Sequence, residues 1–125
     1  MIKVYIRMGC TSCYNTIDWF EKYKIKIKII DINDITKRDL ITALSYTTNG
    51  TRDLVKQRSR VTNKSRNKLK LLNEMNFNEG LCYLKSNTDI LRSPIVLDKE
   101  KIVVGYNRDE LRMFLSPEYK KCIIN

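Results

Sequence analysis

Apolar and polar residues alternate with period two at both ends of the chain and follow helical spacing through much of its middle. Ile2, Val4 and Ile6 alternate with Lys3 and Tyr5, and Ile25, Ile27 and Ile29 alternate with Lys26 and Lys28. Each run predicts a strand, over 2–6 and 25–30. Lysines along one side of the second run suit an edge strand, where charge discourages unwanted pairing. Between the two runs, Cys13, Ile17 and Phe20 fall on one helical face. Thr11 or Ser12 offers an N-cap, and a helix of about 11–23 follows. Strand, helix, strand is a βαβ unit.

Further on, the pattern predicts a helix from near Thr36 with Leu40, Ile41 and Leu44 inward. Asn49-Gly50 is a turn, because glycine accepts positive φ without steric cost. Thr51 can cap a further helix carrying Leu54, Val55 and Val61, and a basic, Asn-rich stretch follows. Another helix is expected over about 77–86, with Phe77, Leu81 and Leu84 as its stripe and Cys82 as a small core residue beside them. Pro94 then opens Ile95–Leu97, and Asp98-Lys99-Glu100 turns the chain into Ile102–Val104, a hairpin. Asn107 and Glu110 resemble a capping box ahead of Leu111, Phe114 and Leu115, and Pro117 ends that helix. The two ends therefore read βαβ and ββα. That is a thioredoxin-like α/β plan: a four-stranded mixed sheet built from about 1–33 and 91–117, with a helical insertion over about 34–90. A single domain of 1–125 with a short, loose tail over 118–125 is expected.

Size agrees with one domain: 125 residues, 42% of them hydrophobic, can bury a real core. No apolar run reaches bilayer length, and the first residues lack the regions of a signal peptide. A cytoplasmic protein without membrane contact is expected. The charge changes the picture more. Arg52, Lys56, Arg58, Arg60, Lys64, Arg66, Lys68 and Lys70 lie between Thr51 and Leu72 against the single acid Asp53, so most of the net +10 sits in one segment. Such a patch favours an anionic partner, nucleic acid or an acidic protein face; a solvated helical face is the plainer reading.

There are four cysteines and no histidine. The absence of histidine removes Cys2His2 zinc sites and any Ser-His or Cys-His catalytic pair. Gly9-Cys10-Thr11-Ser12-Cys13 is a CxxC between a strand and the start of a helix. Amides and the dipole at a helix N-terminus stabilise an anion, which lowers the pKa of Cys10. Cys13, three residues on, is close enough to attack a modified Cys10. The alternatives are a pair of inert buried thiols and a zinc site. One CxxC supplies only two ligands, and Cys82 and Cys122 lack metal-like spacing, so neither a metal nor a cofactor is expected. Pro94 is a candidate cis-proline facing the dithiol. Trp19 reads as helix packing.

Cys10-Thr11-Ser12-Cys13 with Trp19, Thr48-Asn49-Gly50-Thr51 with Arg58-Ser59-Arg60, Leu91-Arg92-Ser93-Pro94-Ile95-Val96-Leu97-Asp98, and Val104-Gly105-Tyr106-Asn107-Arg108-Asp109-Glu110 together resemble the Spx family of redox-sensing transcriptional regulators. That family belongs to the arsenate-reductase-like superfamily. The resemblance runs over about 1–117. It implies a redox-active disulfide between Cys10 and Cys13. It also implies binding to the C-terminal domain of the α subunit of RNA polymerase, at a surface that includes Gly50. Arg58 and Arg60 would face promoter DNA only within the polymerase complex, and Arg92 would couple to the redox state. A regulatory protease is a further implied partner. In many relatives an arginine immediately precedes the proline, and arsenate reductases use it to hold the oxyanion. Here that position is Ser93, which weakens the enzyme reading. The alternative is nonetheless a thiol oxidoreductase of the arsenate reductase or glutaredoxin type, with Cys10 as nucleophile and Cys13 as resolving thiol. A third reading is a non-catalytic adaptor that keeps the CxxC as a relic.

Overall fold

In the computed structural model, which describes residues 1–57 and 61–115, four strands form one mixed sheet. β1 (Ile2–Ile6) runs parallel to β2 (Ile27–Asp31), with Val4 opposite Ile29. On its other side β1 pairs antiparallel with β3 (Ile95–Leu97), Val4 opposite Val96, and β3 pairs antiparallel with β4 (Ile102–Val104). The spatial order β2-β1-β3-β4 is the expected thioredoxin-like sheet.

Alternation along the strands gives the sheet two apolar faces, and each has its own core. Val4, Val96 and Val103 point to one face, where α1 (Thr11–Lys22) and α5 (Arg108–Leu111) cover them with Trp19, Phe20 and Leu111. Phe20 has no exposed surface and meets Trp19 and Phe114 edge-on. Burying a side chain of this kind stabilises by roughly 1.5–3 kcal/mol. Trp19 packs also against Tyr23, so its role is the expected one of helix packing. Tyr5, Ile95 and Leu97 point to the other face. Three helices cover it: α2 (Lys37–Ser45), α3 (Asn63–Asn73) and α4 (Phe77–Ser86).

Several expectations shift. α2 starts beside Thr36 as expected, with Thr36 as its cap, but the buried apolar residues are Leu40, Ala43 and Leu44, and Ile41 is half exposed. The helix expected after Thr51 is instead a 3₁₀ turn over Gly50–Asp53, after which Val55 bridges antiparallel to Leu91. A β-bridge fixes Val55 in extended backbone, and the helix cannot continue through it. The Asn-rich stretch, read only as basic and polar, contains α3, capped by Thr62 and anchored by Leu69 and Leu72. α4 has the expected bounds, but its stripe is Gly80, Leu81 and Leu84; Phe77, the first helical residue, is exposed, and so is Cys82. α5 is a single turn continued as 3₁₀ through Phe114. Arg58, Arg60, Pro117 and Cys122 lie outside the described residues.

Candidate functional site: a dithiol at a helix N-terminus beside a cis-proline

β1 ends at Ile6, and the chain turns through Met8 and Gly9, the latter at φ +74°, before α1 begins. Neither Thr11 nor Ser12 is the cap. Cys10 takes that position in extended backbone, and its sulfur accepts the Cys13 backbone N–H at 3.2 Å. The sulfur does what a serine or aspartate oxygen does at other helix starts. Position and chemistry are therefore one fact: the cap residue is also the thiol most favoured as an anion.

The peptide bond Ser93–Pro94 is cis, as expected for a proline facing the dithiol. This bend carries Ser93 to the sulfur: Ser93 Oγ donates to Cys10 Sγ at 3.4 Å, and the Ser93 carbonyl oxygen lies 3.8 Å from it as an acceptor. Partial burial opposes ionisation of Cys10. Hydrogen bonds from Cys13, from Ser93 and from the amides of Cys13 and Ser12 outweigh it, and the Cys10 thiol lies below its ordinary value. Cys13 is fully buried and takes the opposite direction. Burial, followed by its hydrogen bond to Cys10, pushes its thiol up to about 11; the Arg7 amide at 3.5 Å offsets this only in part. Both thiols are free in the structure. A low nucleophile beside a high, buried partner is the arrangement of an attacking and a resolving cysteine.

Two cations around the site escape the sequence pattern. The Arg7 guanidinium holds the carbonyls of Thr88, at 2.6 Å, and Leu91, at 3.3 Å, tying β1 to the segment that leads into Pro94. Lys56 is half-buried; its pKa is lowered by burial and by Arg7, while Asp89 and the Cys10 charge oppose the shift. Arg7 is a chain neighbour of Cys10, whose backbone N–H donates to the Arg7 carbonyl at 3.3 Å, whereas only the fold brings Lys56 near that sulfur.

The remaining site residues lie apart from the sulfurs. Arg92 is exposed, and its guanidinium packs over Gly105, where a Cβ would stand 3.1 Å from Nη2. At φ +81° that glycine satisfies both the turn and the close approach. Gly50 has φ +65° in a surface turn with nothing within 4 Å of a Cβ built there. Asp53 accepts the Thr48 and Asn49 amides and fixes this turn. The turn is linked to the dithiol by a continuous track: Lys56 N–H donates to the Ile90 carbonyl and Arg92 N–H to the Leu54 carbonyl, one residue before Ser93. Exposed Cys82 accepts from Lys37 Nζ at 3.2 Å. A cavity of about 570 Å³, lined by Lys3, Asp39, Asp98 and Lys99, opens at the other end of β1 from the CxxC. Among the described residues no group of three or more Cys, Asp or Glu side chains forms a metal-sized cluster, and no helix is long and apolar enough to cross a membrane.

A thioredoxin-like sheet with a capping thiol, a buried partner thiol and a facing cis-proline defines a dithiol protein of the thioredoxin-fold class. The chain belongs to the ArsC family, on its Spx side: the ArsC family pattern matches residues 5–114, and Spx proteins align over nearly the whole chain. The global transcriptional regulator Spx of Streptococcus agalactiae is 33% identical over 124 residues, covering 97% of this chain and 88% of that protein. Its counterpart in Streptococcus mutans is 31% identical with the same coverage. An ArsC-family-related protein from Bacteroides fragilis shares the fold at TM-score 0.75 and 18% identity, covering 90% of this chain and 95% of that one. So does an arsenate reductase from Vibrio cholerae, at TM-score 0.74 and 14% identity, covering 91% and 97%.

Proposed function

We propose that this protein is a redox-responsive transcriptional regulator that binds the C-terminal domain of the α subunit of RNA polymerase and is switched by a Cys10–Cys13 disulfide. The observation that carries the reading is the capping sulfur of Cys10, 3.2 Å from the Cys13 amide and hydrogen-bonded by Ser93, in a chain that aligns with global transcriptional regulators along its length. Oxidation removes two electrons from the pair, together with the proton held by Cys13, and abolishes the thiolate at the helix cap. Ser93, Arg92 and Leu54 are successive steps from that sulfur toward the Gly50 turn, a physical route by which the change reaches a binding surface. Gly50 presents bare backbone with open space above it, which admits close approach by another protein. Arg58 and Arg60 join the exposed basic residues of α3 in facing promoter DNA within the polymerase complex. Phosphate neutralisation there adds affinity without sequence readout. Arg92 is the redox-coupled cation through its neighbour Ser93, and the protein works in the cytoplasm.

The experiment is co-precipitation with the purified C-terminal domain of polymerase α. Gly50→Arg should keep the fold, losing roughly 1–2 kcal/mol for a left-handed residue, and should abolish binding. Absence of binding in both redox states, with Gly50→Arg indistinguishable from wild type, contradicts the reading.

The enzyme alternative keeps in its favour the lowered thiol of Cys10, its buried partner thiol and the match to the ArsC family. Against it, the position before Pro94 is Ser93, and Arg92 packs over Gly105. Turnover of arsenate or of a mixed disulfide at a useful rate would favour the enzyme.

A further inference from the structure

Away from the sulfurs, three parts of the chain converge on the cavity of about 570 Å³, a volume within the roughly 300–1,000 Å³ of small-molecule pockets. β1 supplies Lys3, the first turn of α2 supplies Arg38 and Asp39, and β3 with the turn after it supplies Leu97, Asp98 and Lys99. Both carboxylates are already matched. Asp39 is buried, and it accepts from Lys3 Nζ at 3.0 Å and from the Tyr5 hydroxyl. Asp98 accepts the Glu100 and Lys101 amides at 2.8 and 2.9 Å and pairs with Lys101 Nζ at 3.3 Å. The cations are not matched in return. Among the described residues, the side chains of Arg38 and Lys99 have no hydrogen bond or ion pair. Lys3 spends one of its three N–H groups on Asp39. The backbone that carries Lys99 is fixed, because Asp98 holds the turn and the Tyr46 hydroxyl donates to the Lys99 carbonyl. The cavity is therefore a concave surface with an excess of positive charge, and Leu97 and Met1 give it an apolar side.

We propose that this cavity binds a small organic phosphomonoester, with its phosphate on Arg38 and Lys99 and its organic part against Leu97 and Met1. A phosphomonoester carries a charge of about −1.5 to −2 near neutral pH, which matches two cations that lack partners. A carboxylate, with one charge, matches only one of them. Guanidinium and ammonium groups both donate to phosphate oxygens, and such charge-assisted hydrogen bonds are the strong ones. A bare phosphate would leave the apolar side of the cavity uncovered, so the organic part adds affinity by burying it. The site stands apart from the redox reading: it lies at the other end of β1 from the CxxC and shares no residue with the dithiol.

The test is an amide NMR titration of the full reduced chain with phenyl phosphate, inorganic phosphate and phenol. Phenyl phosphate should give saturable shifts at Arg38, Leu97 and Lys99. Inorganic phosphate should bind the same residues at least about tenfold more weakly, since it buries no apolar area. Phenol should give no saturable shift. Arg38→Gln/Lys99→Gln replaces two exposed side chains, so the fold should be kept, and affinity for phenyl phosphate should fall at least about tenfold. Lys64→Gln/Lys70→Gln, which removes the same charge from the exposed face of α3, should leave that affinity unchanged. Equal affinities in the two double variants would overturn the proposal. So would phenyl phosphate shifts centred on Cys10 and Lys56, phenyl phosphate binding no tighter than inorganic phosphate, or no saturable shift with phenyl phosphate.

Discussion

Cys10 and Cys13 stand within one helical turn of each other, yet their environments push them in opposite directions. Cys10 caps α1 and receives hydrogen bonds, so its thiolate is favoured; Cys13 lies one turn inside, sealed from water. Iodoacetamide should therefore alkylate Cys10 at a pH well below that needed for Cys13, and peptide mass spectrometry across a pH series reads the order. Exposed Cys82, held at 3.2 Å by Lys37, should react before Cys13 in the folded chain. The same environments set the alkaline stability. Burial, then the hydrogen bond to Asp39, raises the Tyr5 hydroxyl, and burial likewise raises Cys13. The folded chain then holds protons that the unfolded chain releases, so stability is full below the unfolded thiol value of about 8.5 and falls as pH climbs toward the folded values. Cys10, depressed, acts the other way: its contribution is present above the unfolded value and is lost as pH falls through the folded one. Cys13→Ala should accordingly flatten the decline of Tm between about pH 8.5 and about pH 11.

At the scale of elements, what the sequence made legible and what it hid have separate causes. β1 was readable from its period-two alternation, and β3 and β4 because strands covered on both faces are short, unbroken apolar runs. The start of α2 and the bounds of α4 were readable because helix boundaries are set by local signals. The phase of a helix is not local. Phe77 and Ile41 fit a helical stripe but stand on the exposed side, because the neighbouring helices and the sheet decide which face is covered. α3 is hard to see in the sequence because lysine and asparagine dominate it and only Leu69 and Leu72 anchor it. The site divides in the same way. The CxxC and the cis-proline were legible as spacing and position. Lys56 was not, since only the Val55–Leu91 bridge and the packing around it bring that lysine near Cys10, and neither was the hold of Arg7 on the Thr88 and Leu91 carbonyls, more than eighty residues away. Caps give this scale its own prediction. Asn76 and Glu79 form a reciprocal capping box at α4, which helps to build the face that covers Tyr5 and Leu97. Asn76→Ala should cost about 1 kcal/mol of stability, read by urea denaturation, with the dithiol chemistry unchanged.

Across the whole molecule, the sheet separates two jobs. One face packs α1 and α5 and holds the dithiol where β1 turns into α1; the other carries α2, α3 and α4, with the basic residues of α3 outward. The sulfur and the Gly50 turn are joined by hydrogen bonds at Arg92 and Lys56, rather than by contact. The proposed regulator would use that separation, with the reactive centre on one element and the proposed docking surface on another, joined by backbone hydrogen bonds. Run-off transcription with purified RNA polymerase, with and without diamide, tests this most directly. Wild-type protein should change its effect on transcription when oxidised, and Cys10→Ser and Cys13→Ser, folded alike, should give one unvarying level. A diamide response in both variants equal to that of the wild type would contradict the switch.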